Sequence, residues 1–132
     1  MQSKSTEEFK ETDGNGIPKS HVHMILEIVH YVPDTIVCKT IIKNGGGKLS
    51  AVAFNEGEKF YKKTTKYDTF VQIIEGKAEI TIDSKDCKLN LGDSIIIPVN
   101  TLHCFKANSE FKMITTIVKH TNKTKTVVIK SN

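Results

Sequence analysis

The histidines are the residues best suited to acid–base chemistry or metal binding, because an imidazole titrates near neutral pH and ligates transition metals. His103 ends the stretch GDSIIIPVNTLH, which begins with an apolar run stopped by Pro98. His21 and His23 are two residues apart, so on a strand both rings would lie on one face. His103 is therefore a candidate general acid or base, and His103 with His21 and His23 is a candidate metal site.

The composition is typical of one soluble globular domain. The chain has 132 residues, of which 38% are hydrophobic and 26% are charged, and this length suits a single core. No apolar run approaches the roughly 20 residues that cross a bilayer. The first residues, MQSKSTEEFKETDGNG, contain no apolar signal-peptide core. We therefore expect a cytoplasmic protein that does not contact membranes and whose cysteines stay reduced.

The cationic residues argue against nucleic-acid recognition. All 19 cationic side chains are lysines, and the formal net charge is +4. Arginine is the residue that most often makes bidentate contacts to phosphate and guanine, and this chain has none. We therefore expect a small-molecule ligand and no nucleic-acid partner.

Strand signals follow one another along most of the chain. Short runs rich in β-branched residues alternate with Gly, Pro and Asx turns, as in TIVCKTIIK, KLSAVAFN, DTFVQIIEG, KAEITID, SIIIP, FKMITTIVK and TVVIK. Residues 21–31 fit either a strand or a short helix. The pattern predicts an all-β barrel or sandwich. Residues 1–20 are predicted to be a flexible N-terminal arm, and residues 21–132 a single domain.

Two glycine-bounded segments carry a more specific signal. The first runs from Gly57 to Gly76 with the spacing G-x5-K-x-T-x3-T-x6-G, and the second is GDSIIIPVNTLHCFKA. They resemble the two-part signature of the cupin superfamily, G-x5-H-x-H-x3-E-x6-G followed by G-x5-P-x-G-x2-H-x3-N. The resemblance implies a small single-domain cupin with a degenerate first motif. Its expected fold is a double-stranded β-helix, the jelly-roll barrel.

The departures from the signature bear on metal binding. In metal-binding cupins, two histidines and a carboxylate of the first motif join the second-motif histidine, but the matching positions here are Lys63, Thr65 and Thr69. An ammonium group has no lone pair and repels cations, and hydroxyls are poor ligands for Fe, Mn, Zn or Ni. The resemblance thus implies a barrel without a cofactor. The alternative is a metal-dependent dioxygenase or isomerase that uses His103 with non-standard ligands.

The first-motif side chains suggest an anionic ligand instead. Lys63, Thr65 and Thr69 share one face if their segment is regular, and the cupin fold directs that face toward His103. A lysine and hydroxyls around an apolar cavity suit a carboxylate or another small anion. The predicted ligand-binding residues are Lys63, Thr65, Thr69, Gln72 and His103, and the predicted pocket-lining residues are Phe54, Ile74, Phe105 and Met113.

Three interpretations stay open at this point: a metal-free binding protein, a metal-dependent enzyme, and a barrel filled by its own side chains. The third would be a structural or regulatory module. Two residue-level alternatives also stay open: Lys63 reaches from the barrel end into water, and His103 only bonds a backbone carbonyl or Tyr67. The cupin resemblance also implies a homodimer, because small cupins pair through N-terminal strands and sheet faces.

Overall fold

The computed structural model describes residues 10–11, 16–62, 66–119 and 128–129 of the chain. Within these ranges the β-branched runs form strands, as their composition predicts. The strands are β1 (Lys10–Glu11), β2 (Ile36–Asn44), β3 (Gly47–Phe54), β4 (Lys59–Lys62), β5 (Thr69–Glu75), β6 (Ala78–Ile82), β7 (Lys85–Leu89), β8 (Ser94–Ile97), β9 (His103–Lys106) and β10 (Phe111–Val118), and a 3-10 helix spans Ile25–Glu27.

The strands form two sheets that pack face to face. The larger sheet has the order β1-β2-β3-β10-β5-β8 and the smaller β4-β9-β6-β7. All pairings between these strands are antiparallel except that of β1 with β2. Both sheets contribute to the core between them, which includes Val71 of β5 and Ile80 of β6. Sheet neighbours that are distant in sequence, such as β3 and β10, are typical of a jelly roll. The predicted all-β jelly-roll fold is confirmed.

Two glycines let the chain run close to neighbouring strands. Gly47 begins β3 beside the backbone carbonyl of Ile117, and Gly76 lies in the turn from β5 to β6 with a φ of +73°. A Cβ atom at Gly76 would stand 2.5 Å from the carbonyl oxygen of Glu110. A larger residue at Gly76 would therefore displace backbone as well as adopt a strained conformation. These close approaches hold β3 and β5 in place, and both strands line the barrel interior.

The N-terminal segment covers the outer face of the larger sheet. Residues 21–31, for which the sequence fitted a strand or a helix, contain the 3-10 helix and no strand. Val29 is buried in a second apolar cluster with Ala51 and Ala53 of β3 and Ile114 of β10. The short alanine side chains leave room for the segment to approach the sheet. The larger sheet is therefore buried on both faces where β3 and β10 pair, at Ala51, Ala53 and Ile114.

Two terminal predictions fall largely outside the described residues. Of the predicted arm, residues 1–20, the structure describes β1, which pairs with β2, and the stretch from Gly16 onward. Of the TVVIK run it describes Val128 and Ile129, which are exposed and not in a strand. The flexible arm and the domain boundary at residue 21 stay predictions. No helix in the described ranges is long and apolar enough to span a bilayer.

Candidate functional site

A cavity of about 170 Å³ lies between the two sheets. Strands β2, β3, β5, β8 and β10 of the larger sheet provide one wall, and β4 and β9 of the smaller sheet provide the other. Successive side chains of a strand point to opposite faces, so every second residue of these strands faces the cavity. The wall is mainly apolar, and its polar groups are concentrated toward one end.

The closed end of the cavity is aromatic. Phe54 of β3 and Phe105 of β9 are 1% and 3% exposed, and their ring centroids are 6.0 Å apart. Phe54 also stacks on Phe111 of β10, with centroids 4.5 Å apart and 15° between the ring planes. Such ring contacts add to the burial of apolar area and hold Phe54 in one orientation. Phe54 and Phe105 together form what we call the aromatic floor.

The open end of the cavity carries polar groups. Lys48 of β3 pairs with Ile117 of β10, and Ile117 pairs on its other side with Thr69 of β5. All three line the cavity, Lys48 and Ile117 half-buried and Thr69 buried. We call Lys48, Thr69 and Ile117 the cavity mouth. An ammonium group and a hydroxyl group therefore lie at the entrance.

The polarity of the wall decreases with depth. Ser50 of β3 lies opposite Thr115 of β10 in the strand register, and both line the cavity. Along β3 the inward residues then continue with Val52 and the floor residue Phe54. Buried hydroxyls need hydrogen-bond partners, and none of the buried side-chain N or O atoms among the described residues lacks one. The cavity is therefore amphipathic along its length.

The turn before β9 sets the position of His103. Asn100 has a φ of +56°, a left-handed conformation that asparagine tolerates, at the position where the cupin signature has glycine. The N–H of Val99 donates to Asp68 Oδ1 at 3.1 Å, and the Thr101 hydroxyl donates to the Val99 carbonyl at 3.1 Å. These bonds tie the turn to the residue just before β5, at the cavity mouth.

The His103 ring is 4% exposed and lines the cavity opposite the larger sheet. Its Nδ1 lies 3.1 Å from the carbonyl oxygen of Thr101. Because a carbonyl only accepts hydrogen bonds, Nδ1 carries the proton, and in the neutral ring Nε2 has the lone pair. The ring stands at 89° to Phe105, with centroids 5.8 Å apart. His103 thus makes the backbone hydrogen bond that the sequence left open, and it also faces the cavity.

A family model described as the cupin domain (Cupin_2) matches residues 51–118, which include both signature segments. This chain belongs to the cupin family. The matched residues begin within β3 and end with β10. They include the aromatic floor and, of the cavity mouth, Thr69 and Ile117 but not Lys48. No curated protein matches the chain.

Solved structures of other proteins share the fold. A conserved protein of unknown function from Streptococcus pyogenes is 24% identical, with a TM-score of 0.74, over 81% of this chain and 94% of that one. A cupin superfamily protein from Desulfitobacterium hafniense is 18% identical, with a TM-score of 0.72, over 81% and 98%. A cupin 2 conserved barrel domain protein from Leptotrichia buccalis is 25% identical, with a TM-score of 0.67, over 71% of this chain but only 46% of that one. These likenesses support the fold and name no ligand.

Most of the predicted site residues lie on the cavity wall of this cupin. From the predicted ligand-binding set the cavity is lined by Thr69 and His103, and from the predicted pocket lining by Phe54, Phe105 and Met113. Lys63 and Thr65 lie outside the described residues. Whether any of these side chains contacts a ligand stays a prediction.

Gln72 and Ile74 do not line the cavity, which corrects their predicted positions. Thr69, Val71 and Ile73 of β5 are buried on the inner face. Gln72 and Ile74 alternate with these residues along the strand and therefore lie on the outer face. Gln72 is exposed, and Ile74 packs against the second apolar cluster. The prediction was inconsistent with strand alternation, because residues 69 and 72 of a regular strand cannot share a face.

Sequence reasoning missed the polar residues of the larger sheet. Lys48, Ser50 and Thr115 all line the cavity. A signal was present, since Phe54 was predicted to face inward and alternation along KLSAVAF places Ser50 and Lys48 on the same face. Thr115 follows by the same rule from Met113.

The described residues do not fit the metal site of metal-binding cupins. No group of three His, Cys, Asp or Glu lies together anywhere in the described ranges. His23 bonds the Pro18 carbonyl at 2.9 Å and lines a surface groove beside the N-terminal segment, and His21 is exposed. The structure therefore does not bring His21 and His23 to the cavity that His103 lines. The cavity wall offers one imidazole (His103), one thiol (Cys38) and hydroxyls, which are too few strong ligands to enclose a transition metal.

Cys104 follows His103 but faces the other side of β9. It lines a groove on the outer face of the smaller sheet together with Tyr61 and Lys106. Burial raises the pKa of the Cys104 thiol, and a hydrogen bond with Tyr61 and the charges of Lys59 and Lys106 act in the opposite direction. Cys104 and His103 are therefore not placed as a nucleophile and its base.

Proposed function

We propose that this cupin binds a small molecule that has an anionic head and an apolar body, and that it does so without a metal ion. The observation that carries the proposal is the amphipathic cavity, which joins Lys48 at its mouth to an aromatic floor. Small-molecule sites are typically apolar concavities with a few polar groups that fix orientation.

The cavity volume limits the ligand to a small molecule. An apolar cavity of about 150 Å³ accepts benzene in another protein, and this one measures about 170 Å³. A single ring or a short chain with one acidic group is therefore of suitable size. A nucleotide or a peptide is too large.

The anionic head follows from the charge at the mouth. Lys48 provides a positive charge on the cavity wall, and this charge attracts an anion. The Thr69 hydroxyl can donate a second hydrogen bond at the same end. Lys63 and Thr65 would add to this head site, as the sequence predicts.

The metal-free character rests on the chemistry of the donors. On the described wall, His103 and Cys38 are the only strong metal ligands, no third one lies with them, and Lys48 adds a positive charge that disfavours a cation. Metal analysis of protein purified without chelator tests this part. Near-stoichiometric Fe, Mn, Zn or Ni that resists dialysis would overturn it and restore the enzyme alternative.

Titration calorimetry with a carboxylate and its primary amide tests the anionic head. We expect phenylacetate to bind with a Kd at or below roughly 1 mM, and phenylacetamide about tenfold more weakly, as the loss of a charge-assisted hydrogen bond predicts. Lys48→Met should abolish this discrimination. Lys85→Met is the matched control, because Lys85 is exposed on β7 of the smaller sheet and does not line the cavity. Equal binding of acid and amide by the wild type would refute the proposal.

We also propose a homodimer that pairs through the N-terminal segment. Val22 is fully exposed and Met24 is 68% exposed, and both line one surface groove. Exposed apolar patches often mark protein interfaces. Sedimentation equilibrium should show a dimer that Met24→Lys weakens, whereas Val118→Lys, which alters another exposed valine, should not. A wild-type monomer at high concentration would contradict this proposal.

A cytoplasmic location is proposed on the cysteines. Cys38, Cys87 and Cys104 form no disulfide, and reduced thiols persist in the cytoplasm. Cell fractionation with an antibody to this protein tests the location, and recovery with a secreted fraction would contradict it.

A further inference from the structure

We infer that the apolar body of the ligand is one aromatic ring, so that the ligand class is a monocyclic aromatic carboxylate. This inference rests on the proposed function and specifies it. The proposed function requires only an anion with an apolar body. The ring requirement comes from the side chains that surround the inner part of the cavity.

Aromatic rings surround the inner cavity from several directions. Phe54 and Phe105 are inclined at 48° to each other, and the His103 ring is perpendicular to Phe105. Phe60 of β4 pairs with Phe105 in the strand register and also lines the cavity. Aromatic pairs prefer offset-stacked or edge-to-face contacts with centroids roughly 4.5–7 Å apart. A ligand ring in this space can meet faces and edges of several protein rings at once.

The wall is built to keep its shape. Phe54 is held from behind by its stack on Phe111. Val71 and Ile97 are fully buried on the larger sheet, and β-branched side chains have little rotational freedom. A rigid ring loses less conformational freedom than a flexible chain when it enters such a cavity. The shape of the wall therefore favours a ring over an alkyl chain of equal size.

The depth of the cavity excludes a second charged group on the ring. Beyond Ser50, the inward residues of β3 are Val52 and Phe54. A second carboxylate beside these apolar side chains would be desolvated without a cation to pair with it. The inference is thus a ring with a single acidic group, which lies toward Lys48.

Two ligands that differ only in the ring test this inference on the wild-type protein. By titration calorimetry, phenylacetate should bind about three- to tenfold more tightly than cyclohexylacetate, the range that ring–ring contacts supply. Equal affinities would overturn the ring inference and leave the proposed function intact. Toluene binding as tightly as phenylacetate would instead overturn the anionic head. Binding of neither acid would refute both.

A variant pair locates the effect. Phe60→Leu should reduce the preference for phenylacetate over cyclohexylacetate to about twofold or less, because it removes one of the surrounding rings. Phe70→Leu is the matched control, since Phe70 is exposed on the outer face of β5, and it should leave the preference unchanged. If Phe60→Leu does not fold, NMR of phenylacetate bound to the wild-type protein tests the inference instead. In wild-type protein, the ring protons of phenylacetate should shift upfield and show NOEs to Phe54 or Phe105, and their absence would contradict the inference.

Discussion

The two faces of the larger sheet each carry a lysine away from bulk water, and the surroundings of the two lysines differ. Lys112 of β10 is only 6% exposed on the outer face. Its Nζ donates to the carbonyl of Leu26 at 2.5 Å, lies 3.7 Å from Glu75 Oε1, and sits 5.0 Å from the centroid of the Tyr31 ring. Lys48 is half-buried on the inner face and lines a cavity.

The difference shows how one residue type takes two roles in one sheet. The contacts of Lys112 join the N-terminal segment to the sheet, because Leu26 belongs to the 3-10 helix and Tyr31 also donates to Glu75 at 2.5 Å. Its charge is thus matched by groups of the protein. Lys48 lines the cavity, so a ligand bound there would lie next to its side chain. We therefore expect Lys112 to serve stability and Lys48 to serve binding.

Removal of the Lys112 charge should give the largest effect. Lys112→Met should lower the free energy of unfolding by about 2–3 kcal/mol, because it breaks the part-buried, charge-assisted hydrogen bond to the Leu26 carbonyl. Urea denaturation followed by circular dichroism measures the change. The exposed control Lys43→Met should change stability by less than about 0.5 kcal/mol. An equally small effect of Lys112→Met would show that its contacts do not hold the segment.

Lys48→Met should have the opposite profile. Its unfolding free energy should fall by about 1 kcal/mol or less, because the contacts of a half-buried charged side chain contribute little to stability. Its affinity for phenylacetate should fall about tenfold, and the affinity of Lys112→Met should remain that of the wild type. Lys112→Met should thus lose stability and keep its affinity, whereas Lys48→Met should lose affinity and keep most of its stability. A variant of either lysine that loses both stability and binding would remove the distinction between the two faces.

The sequence predicts the inner face better than the outer one. The glycine spacing and the position of His103 identify the cupin fold, and strand alternation is sufficient to place Thr69 and Phe105 inside. The errors at Gln72 and Ile74 came from ignoring that alternation. Burial of a lysine on the outer face cannot be derived this way, because it depends on where a segment without regular structure packs.

The same limit applies to the cavity mouth. Alternation along KLSAVAF places Lys48 on the inner face, but a lysine at the start of a strand is usually solvated, and alternation does not show that Lys48 is more buried than Lys43. The distinction follows from the register of β3 with β10, which places Lys48 beside Ile117. Register between strands about 70 residues apart is set by the packed barrel rather than by local sequence.

Tyr31 on the outer face gives a smaller, pH-dependent effect. Burial raises the pKa of Tyr31, and its hydrogen bond to Glu75 and the charge of that carboxylate act in the same direction. At pH 7, Tyr31→Phe should cost about 1 kcal/mol through loss of that bond. The unfolded chain ionises near pH 10 while the folded protein keeps its proton. The contribution of Tyr31 is therefore complete below about pH 10 and is lost as the pH rises further.

Urea denaturation of wild type and Tyr31→Phe at pH 7 and at pH 10.5 checks the sign. The stability difference should be smaller at the higher pH. A difference that grows with pH would mean that the folded protein stabilises the phenolate, which contradicts the buried pair with Glu75.

The reactivity of two cysteines gives the last and smallest expected difference between the inner and the outer surfaces. Cys38 of β2 is 4% exposed and lines the cavity, whereas Cys104 is half-buried in the outer groove. In iodoacetamide labelling followed by mass spectrometry, Cys104 should react before Cys38. Because burial raises the pKa of Cys104, its rate should still be rising at pH 9, where an ordinary thiol with a pKa near 8.5 is mostly ionised.

Ligand protection should then separate the two thiols. Phenylacetate at three times its Kd leaves about a quarter of the cavities empty, so labelling of Cys38 should slow about fourfold if the reagent enters through the cavity. Cys104 should react at an unchanged rate, because the ligand and this thiol lie on opposite faces of the smaller sheet. Equal protection of both cysteines would mean that the ligand slows local unfolding of the whole protein, which would contradict selective protection through the cavity. Protection of Cys104 alone would place the ligand in the outer groove.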